Sequence, residues 1–277
     1  LDTFFTDEKT TVQLFLDERA DGDFAVLEGV MGLYDGLGGR YEQGSSYHLA
    51  KVTQTPIILV VDAKGMGKSV LALIAGFLQY DTQHLIKGVL LNRMSKGYYD
   101  IIKPLIEKEL SVKVVGYFPE QKDIRLESRH LGLVMPDELS DIKKQLNETA
   151  DRLKKTIDMD LFMDIAAEAD EIGDSGSADV YNEKNIGNCD QNEFSQNKAI
   201  NTVNIAVAMD EAFCFYYEDN LRLLEKCGAK LQYFSPLHDT RLPKDCDAML
   251  LGGGYPELYA KELSKNVSML NAIKKAF

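Results

Sequence analysis

The chain has 277 residues, of which 45% are hydrophobic and 27% are charged, a composition typical of one large or two modest globular domains. It carries 31 Lys and Arg residues against 44 Asp and Glu residues, a formal net charge of −13, which excludes nucleic acid as an expected partner. Its longest apolar runs, such as 56–61, are too short to span a membrane, and its acidic start is unlike a signal peptide, so we expect a cytoplasmic protein with no membrane partner.

The first half of the chain alternates short apolar runs with amphipathic segments. The runs are rich in Val, Ile and Leu and are bounded by Asp, Gly, Asn or Pro, as buried parallel strands are. The predicted strands are 24–28, 56–62, 88–92 and 112–117. Between them, apolar residues recur at helical spacing in 69–79 and 98–110. The alternation predicts a doubly wound, mostly parallel α/β sheet in a domain spanning 1–140.

The second half begins with a change of composition. Residues 136–170 are charged and helical in pattern, and 171–201 contain Gly, Ser, Asp and Asn with hardly any large apolar residues, so we assign 141–201 to a helical and polar linker. Order then resumes in a second α/β domain that starts at 202 and continues to 277. Its predicted elements are strands at 203–209, 231–234 and 248–252, and helices at 211–227 and from 256 onward.

The segment 28–36, EGVMGLYDG, contains the first candidate site residues. A carboxylate at the carboxyl end of a parallel strand faces the crevice where open α/β sheets bind ligands. Glu28 and Asp35 are therefore predicted as catalytic acids and Mg²⁺ ligands, and Gly32 and Gly36 would let the backbone approach a phosphate. The alternative is that Glu28 caps a helix and Asp35 forms a turn with Gly36.

The segment 62–69, DAKGMGKS, is close to a P-loop motif but places Asp62 where the first glycine is required. We reject a P-loop here because a carboxylate would turn an oxygen toward the phosphate. Asp62 ends a predicted strand and is a candidate to hold water or Mg²⁺ in the nucleotide site, with N-capping of the next helix as the alternative. Asn92 ends the following strand, and its carboxamide would pair with an adenine edge.

Two later motifs add candidates for binding anions. Arg129 and His130 would address an anionic substrate, although a lone histidine in an apolar stretch is also typical of a core residue. Gly253 and Gly254 follow a predicted strand, where their N–H groups would hold an oxyanion. Cys214 lies within a predicted helix and is interpreted as a core residue. The cysteines and histidines show no spacing typical of a zinc site.

These motifs, in this order, resemble those of the cobyrinic acid a,c-diamide synthases of cobalamin biosynthesis. The resemblance is carried by 28–36, 129–133, 206–220 and 252–257. It implies a P-loop NTPase fold like that of dethiobiotin synthetase, joined to the start of a class I glutamine amidotransferase-like α/β domain. It also implies amidation of the a- and c-carboxylates of cobyrinic acid through acyl phosphates, with glutamine as nitrogen donor and with ATP and Mg²⁺.

The resemblance assigns roles to four of the candidates. Glu28 and Asp35 would bind Mg-ATP or organise the substrate carboxylate, and Gly253 and Gly254 would belong to the oxyanion region of glutamine hydrolysis. The family's P-loop and its glutaminase cysteine and histidine have no counterpart among these residues. We therefore expect a piece of a longer protein that by itself has neither ATPase nor glutaminase activity.

Three rival interpretations stay open. One is an a,c-diamide synthase acting on another tetrapyrrole, such as Ni-sirohydrochlorin. Another is a dethiobiotin synthetase-like or partition-type NTPase without amidotransferase activity. The third is a non-catalytic interaction protein that has lost the P-loop and the glutaminase cysteine. The sequence leaves the oligomeric state open, a homodimer included.

Overall fold

The structure, a computed structural model, describes residues 1–19, 22–121, 128–129, 132–133, 142–169, 172 and 202–276. The chain divides into two compact units, Leu1–Gly187 and Asn188–Phe277. None of the helices in the described ranges combines the length and the hydropathy that crossing a bilayer requires.

The first unit is built around a parallel sheet. Its elements are α1 (Glu8–Arg19), α2 (Ser46–Val52), β1 (Ile57–Asp62), α3 (Ser69–Tyr80), β2 (Ile86–Asn92), α4 (Lys96–Leu110), β3 (Lys113–Phe118), β4 (Ser128–Arg129), β5 (Gly132–Leu133), α5 (Ile142–Leu153) and α6 (Met159–Ala166). Strands β1, β2 and β3 pair in that order, all parallel. The three strands predicted from 56 onward and both predicted helices are therefore confirmed. Strands β4 and β5 pair antiparallel with each other in a separate sheet.

The core of the first unit lies where the sheet meets α3 and α4. Val89 and Leu91 of the central strand β2 are fully buried, together with Ile74 of α3 and Ile106 of α4. Because apolar residues fill both faces of β2, its sequence reads as a continuous apolar run rather than an alternating one. The same packing fixes the register between neighbouring strands, so that the last residue of β1, Asp62, lies beside the last residue of β2, Asn92.

The strand predicted at 24–28 is wrong. The structure assigns no strand there, and Val26 is 76% exposed. Apolar runs form strands only where a neighbouring strand pairs with them, and in the described part of the sheet β1 pairs with β2 alone. Phe24 instead lies beside the ring of Phe162 in α6, with ring centroids 6.1 Å apart.

The described part of the predicted linker, 141–201, packs on this sheet. Helix α6 buries Ile165 against β2, where a Cβ atom at Gly88 would lie 2.8 Å from Ile165 Cδ1. Gly116 of β3 forms an antiparallel bridge with Ile157, just before α6. These contacts place α6 on the first unit. The stretch 173–201 lies outside the described residues.

The second unit contains a smaller parallel sheet. Its elements are β6 (Val203–Ala208), β7 (Phe213–Phe215), α7 (Glu218–Lys226), β8 (Ala229–Phe234), β9 (Ala248–Leu250), β10 (Gly253–Gly254), α8 (Ala260–Lys265) and α9 (Val267–Ala276). The parallel strands are ordered β8-β6-β9, and β7 pairs antiparallel with β10. Both units are thus α/β with mostly parallel sheets, as predicted. The dethiobiotin synthetase-like P-loop fold remains a prediction.

The helix predicted at 211–227 is wrong over its first half, which contains β7. The Asp210 carboxylate accepts hydrogen bonds from the N–H groups of Ala212 and Phe213, at 2.9 and 3.0 Å, and so closes a turn directly after β6. The chain then pairs with β10, a partner distant in sequence that helical spacing does not reveal. Cys214 therefore lies in a strand, where it is half-buried.

Candidate active site

Two of the three strands of the first sheet, β1 and β2, end in polar residues along one edge. Asp62, the last residue of β1, is aligned with Asn92, the last residue of β2, and Asn92 is aligned with Phe118 of β3. The ladder continues beyond the strands, since the Ala63 N–H donates to the Asn92 carbonyl at 2.8 Å. The structure therefore brings Asp62 and Asn92 side by side at the carboxyl edge, where open α/β sheets bind ligands.

Asp62 is an ion-pair partner in this structure. Arg93 donates from Nε to Asp62 Oδ1 at 2.8 Å and from Nη2 to Oδ2, and the Lys64 N–H donates to Oδ1 at 3.2 Å. The hydrogen bonds from Arg93 and then from Lys64 lower the pKa of the Asp62 carboxyl group. The N-cap of α3 is Lys68, so the N-capping alternative for Asp62 is wrong.

The turn after β2 uses the side chain of Asn92. Its Oδ1 accepts a hydrogen bond from the Arg93 N–H at 2.9 Å, so the oxygen predicted to meet an adenine edge is engaged by the chain itself. Close by, Lys64 Nζ donates to Glu120 Oε1. This edge of the sheet thus carries two ion pairs, Lys64 with Glu120 and Arg93 with Asp62.

The segment 28–36 is anchored at its middle. The Leu33 carbonyl accepts a hydrogen bond from the N–H of Tyr47 in α2 at 2.9 Å. Tyr34 donates its hydroxyl to the Phe77 carbonyl in α3 at 2.6 Å, and its ring centroid lies 4.9 Å from that of Tyr47. Burial is the main cause that raises the pKa of Tyr34. The segment is therefore held against α2 and α3 by Leu33 and Tyr34, which are both half-buried.

The two predicted acids of this segment are both exposed. The Asp35 N–H donates to the Gly32 carbonyl at 2.9 Å, and a Cβ atom at Gly32 would lie 2.1 Å from Asp35 Oδ2, so the carboxylate folds over the glycine. Ser45 caps helix α2, so this helix does not use Glu28 as its cap. Within the described ranges, no group of three or more His, Cys, Asp or Glu side chains is placed to hold a metal ion.

Gly36 is required by the path of its own loop. A Cβ atom there would lie 2.3 Å from the carbonyl oxygens of Tyr41 and Gln43, closer than real contacts allow. The loop closes on this point, where the Leu37 N–H donates to the Gln43 carbonyl at 2.9 Å. The structure therefore explains Gly36 by close approach of the chain to itself, while its predicted role at a phosphate stays a prediction.

Arg129 is the last residue of β4. It pairs with Gly132 of the antiparallel strand β5. His130 lies outside the described residues. The prediction that the two address an anionic substrate therefore stays a prediction.

The predicted oxyanion glycines form strand β10 in the second unit. Gly254 has a φ of +154°, and a Cβ atom there would lie 2.2 Å from the Ala212 carbonyl oxygen. The preceding Gly252 donates its N–H to the Tyr216 hydroxyl at 2.7 Å, and that hydroxyl donates to the Ala208 carbonyl at 2.6 Å. Tyr216 thus ties the start of the glycine run to the end of β6.

Asp210 organises the loops at the carboxyl edge of the second sheet. Its Oδ2 accepts hydrogen bonds from the Ser235 hydroxyl at 2.8 Å and from the Leu237 N–H at 2.9 Å, in addition to the turn that its Oδ1 closes. At the same edge His238 Nε2 lies 2.9 Å from Glu211 Oε2. The loops after β6 and β8 are therefore joined through one carboxylate.

Comparison with known proteins agrees with this architecture. Residues 204–277 match the family model of the CobB/CobQ-like glutamine amidotransferase domain. Cobyrinate a,c-diamide synthases of Caldanaerobacter subterraneus subsp. tengcongensis and Clostridium tetani are 39% and 38% identical over 277 and 276 residues. That of Methanococcus vannielii is 36% identical over 277 residues. The chain is similar to cobyrinate a,c-diamide synthases along its whole length.

The similarity to cobyrinate a,c-diamide synthases covers 99–100% of this chain, and the chain spans 57–59% of the length of these relatives. No solved structure matches the chain at a significant level. The resemblance predicted from the motifs is confirmed.

Two residues of this synthase-like chain were given no role by the sequence, Arg93 and Asp210. Arg93 follows a predicted strand, but its pairing with Asp62 depends on strand order and on the local turn. Asp210 stands directly after a predicted strand, and that position was the available signal. Its four hydrogen-bond donors lie in two separate segments, one that follows β6 and one that follows β8, which sequence spacing does not bring together.

Tyr216→Phe tests how the glycine run is held. The substitution removes the hydroxyl between the Gly252 N–H and the Ala208 carbonyl, and leaving such groups unpaired costs about 1–3 kcal/mol. We expect a loss of that size in the free energy of unfolding, measured by urea denaturation. Tyr233→Phe, at a tyrosine 54% exposed in the same unit, is the matched control, for which we expect a change of at most about 0.5 kcal/mol. Equal losses for the two variants would contradict the role of Tyr216.

Proposed function

We propose that the protein containing this chain amidates the a- and c-carboxylates of cobyrinic acid, with ATP as energy source and glutamine as nitrogen donor. The observation that carries the proposal is the similarity to cobyrinate a,c-diamide synthases over 99–100% of the chain, joined to the amidotransferase match at 204–277. The division of the chain into two units supports the proposal, because ATP-dependent activation of the carboxylate and hydrolysis of glutamine need separate sites.

In the first step of the proposed amidation, an oxygen of the substrate carboxylate attacks the γ-phosphorus of ATP and ADP leaves. The product is an acyl phosphate. The nitrogen of ammonia then attacks the acyl carbon, and phosphate leaves with the electron pair of the broken C–O bond. Because anions meet in the first step, catalysis depends on screening their charge and holding them in line.

Glu28 and Asp35 would hold Mg²⁺ at this site. Carboxylate oxygens are the ligands that Mg²⁺ prefers, and one or two of them suffice when substrate phosphates complete the octahedron. Both side chains are exposed, and within the described residues no ion pair with Lys, Arg or His engages either of them. The bound ion supplies charge screening, while the anchored segment 28–36 fixes where Asp35 stands.

Asp62 and Asn92 would contribute to the nucleotide site at the sheet edge. The Arg93 pair engages both carboxylate oxygens of Asp62, so we assign Asp62 no metal ion in this arrangement. In the second unit, Gly253 and Gly254 would offer N–H groups to the oxyanion of glutamine hydrolysis, held by β7. We assign the glutaminase nucleophile to no residue of this chain, and Cys214 is not proposed for it.

The test uses the protein encoded by the complete reading frame. It is incubated with cobyrinic acid, glutamine, ATP and Mg²⁺, and the macrocycle is analysed by mass spectrometry. We expect singly and then doubly amidated product that requires ATP, with ammonium replacing glutamine at high concentration. Amidation of Ni-sirohydrochlorin alone would overturn the substrate, and nucleotide hydrolysis without any amidation would overturn the reaction.

A further inference from the structure

Arg93 stands at a constrained position on the carboxyl edge of the first sheet. Its backbone φ is +56°, in the left-handed region that side chains other than glycine rarely adopt. The backbone is fixed on both sides, because the Ala63 N–H donates to the Asn92 carbonyl at 2.8 Å and the Met94 N–H donates to the Phe118 carbonyl at 3.2 Å. The turn therefore cannot relax without breaking the sheet register.

This turn presents the guanidinium group at the surface. Leu91 and Met94, which flank the turn, are buried, whereas the Arg93 side chain is 41% exposed. Asn92 Oδ1 accepts the Arg93 N–H and so supports the left-handed backbone from within. Strained backbone conformations that the surrounding structure enforces cluster at binding sites, so the left-handed conformation of Arg93 indicates a ligand-binding role.

The pairing with Asp62 does not explain the strain by itself. Exposed ion pairs contribute little to stability, and Asp62 is also exposed. Asp62 engages Nε and Nη2 of Arg93. A guanidinium has five N–H donors in a planar fork, so one carboxylate can hold one edge while a second oxyanion binds the other.

We propose that Arg93 binds an oxyanion of the reactants, and that Asp62 is a positioning residue that orients its guanidinium. The inference rests on the proposed function. The oxyanion is a phosphoryl oxygen of the nucleotide or the carboxylate of the acid substrate, since a bidentate fork recognises both. Its location suits this role, because ligands of open α/β sheets bind at the carboxyl ends of the strands.

The test replaces the guanidinium and then returns it in solution. In the protein from the complete reading frame, Arg93→Ala is expected to lower kcat/KM for amidation about 100-fold, the loss typical of one preorganised donor group. Added methylguanidinium should restore activity, whereas urea, a neutral molecule of similar shape, should not. Asp62→Asn should lower kcat/KM by only about 10-fold, since positioning partners act more weakly.

Lys96→Met is the matched control, because Lys96 forms an exposed ion pair with Asp100 on the neighbouring helix α4. It should leave amidation unchanged. A purely structural role for Arg93 would appear as a lower melting temperature with no response to methylguanidinium, and it would overturn the proposal. Equal rescue by urea would overturn it as well.

The KM values separate the two sources of the oxyanion. A raised KM for ATP assigns Arg93 to the nucleotide, and a raised KM for cobyrinic acid assigns it to the acid. Calorimetric titration of Arg93→Ala and Asp62→Asn with Mg-ATP and with cobyrinic acid measures ligand affinity, and so tests binding by Arg93 independently of turnover. Unchanged affinity for both ligands overturns the Arg93 proposal, whereas a wild-type protein that binds but never amidates counts against the proposed function.

Discussion

Asp35→Asn is expected to reduce ATP-dependent amidation by about 100- to 1000-fold, the range typical for loss of one charge-stabilising group in an active site. The amide keeps the size of the side chain but loses the negative charge that would hold Mg²⁺. Asp35 is exposed on a turn that is anchored by Leu33 and Tyr34, so the substitution should leave the melting temperature unchanged. The effect should therefore fall on activity alone.

The measurement is the initial rate of amidation as a function of Mg²⁺ concentration, in the protein from the complete reading frame. The half-saturating Mg²⁺ concentration should rise in Asp35→Asn. Asp100→Asn, at an exposed carboxylate on α4, is the control and should behave as wild type. A wild-type rate and a wild-type Mg²⁺ response for Asp35→Asn would remove this residue from the site.

Glu28→Gln adds a second arm to this experiment. If both acids hold one ion, the double variant should be barely slower than the slower single variant, because residues that act as a unit are not additive. If the rate losses of the two single variants instead multiply in the double variant, Glu28 and Asp35 act independently of each other.

The strands that were predicted correctly from the sequence are those that are buried on both faces of a sheet. Runs such as those around Leu91 and Val207 are apolar throughout because both faces are covered, and the sequence shows that directly. The run at 24–28 has the same appearance, yet Val26 is exposed, because a strand also needs a neighbour that composition does not supply. Periodicity likewise predicted a helix through Cys214, where pairing with a distant glycine strand prevails.

The candidate site was predictable only where chemistry coincides with strand ends. Asp62 and Asn92 were found because parallel strands end at the same edge. Their present partners were not predictable, because the bond from Arg93 to Asp62 depends on a left-handed residue and on strand order together. Asp210 shows the same limit, since its donors come from loops after two different strands.

Asp81→Ala is expected to have the largest effect on stability. Asp81 is 3% exposed, and its carboxylate accepts hydrogen bonds from the Tyr47 hydroxyl at 2.8 Å and from the N–H groups of Leu85 and Ile86 at 2.9 and 2.8 Å. Removing it leaves three buried donors unpaired, so we expect the free energy of unfolding to fall by about 3–5 kcal/mol. Urea denaturation of the protein measures this loss.

The control for Asp81→Ala is Asp100→Ala, for which we expect a change of at most about 0.5 kcal/mol. Asp81→Asn keeps one acceptor oxygen but turns an amide nitrogen toward a backbone N–H, so its loss should be intermediate. If Asp81→Ala proves as mild as the control, the buried donors have found other partners and the carboxylate does not hold this part of the fold together.

The damage at Asp81 should extend toward the candidate active site. Tyr47 is fully buried, donates to Asp81, and lies against the ring of Tyr34, which anchors the segment carrying Asp35. Amide hydrogen exchange should therefore quicken at Leu85 and at the Asp35 N–H in Asp81→Asn under native conditions. Faster exchange at Leu85 alone would show that the Tyr34 and Tyr47 rings hold the segment without this carboxylate.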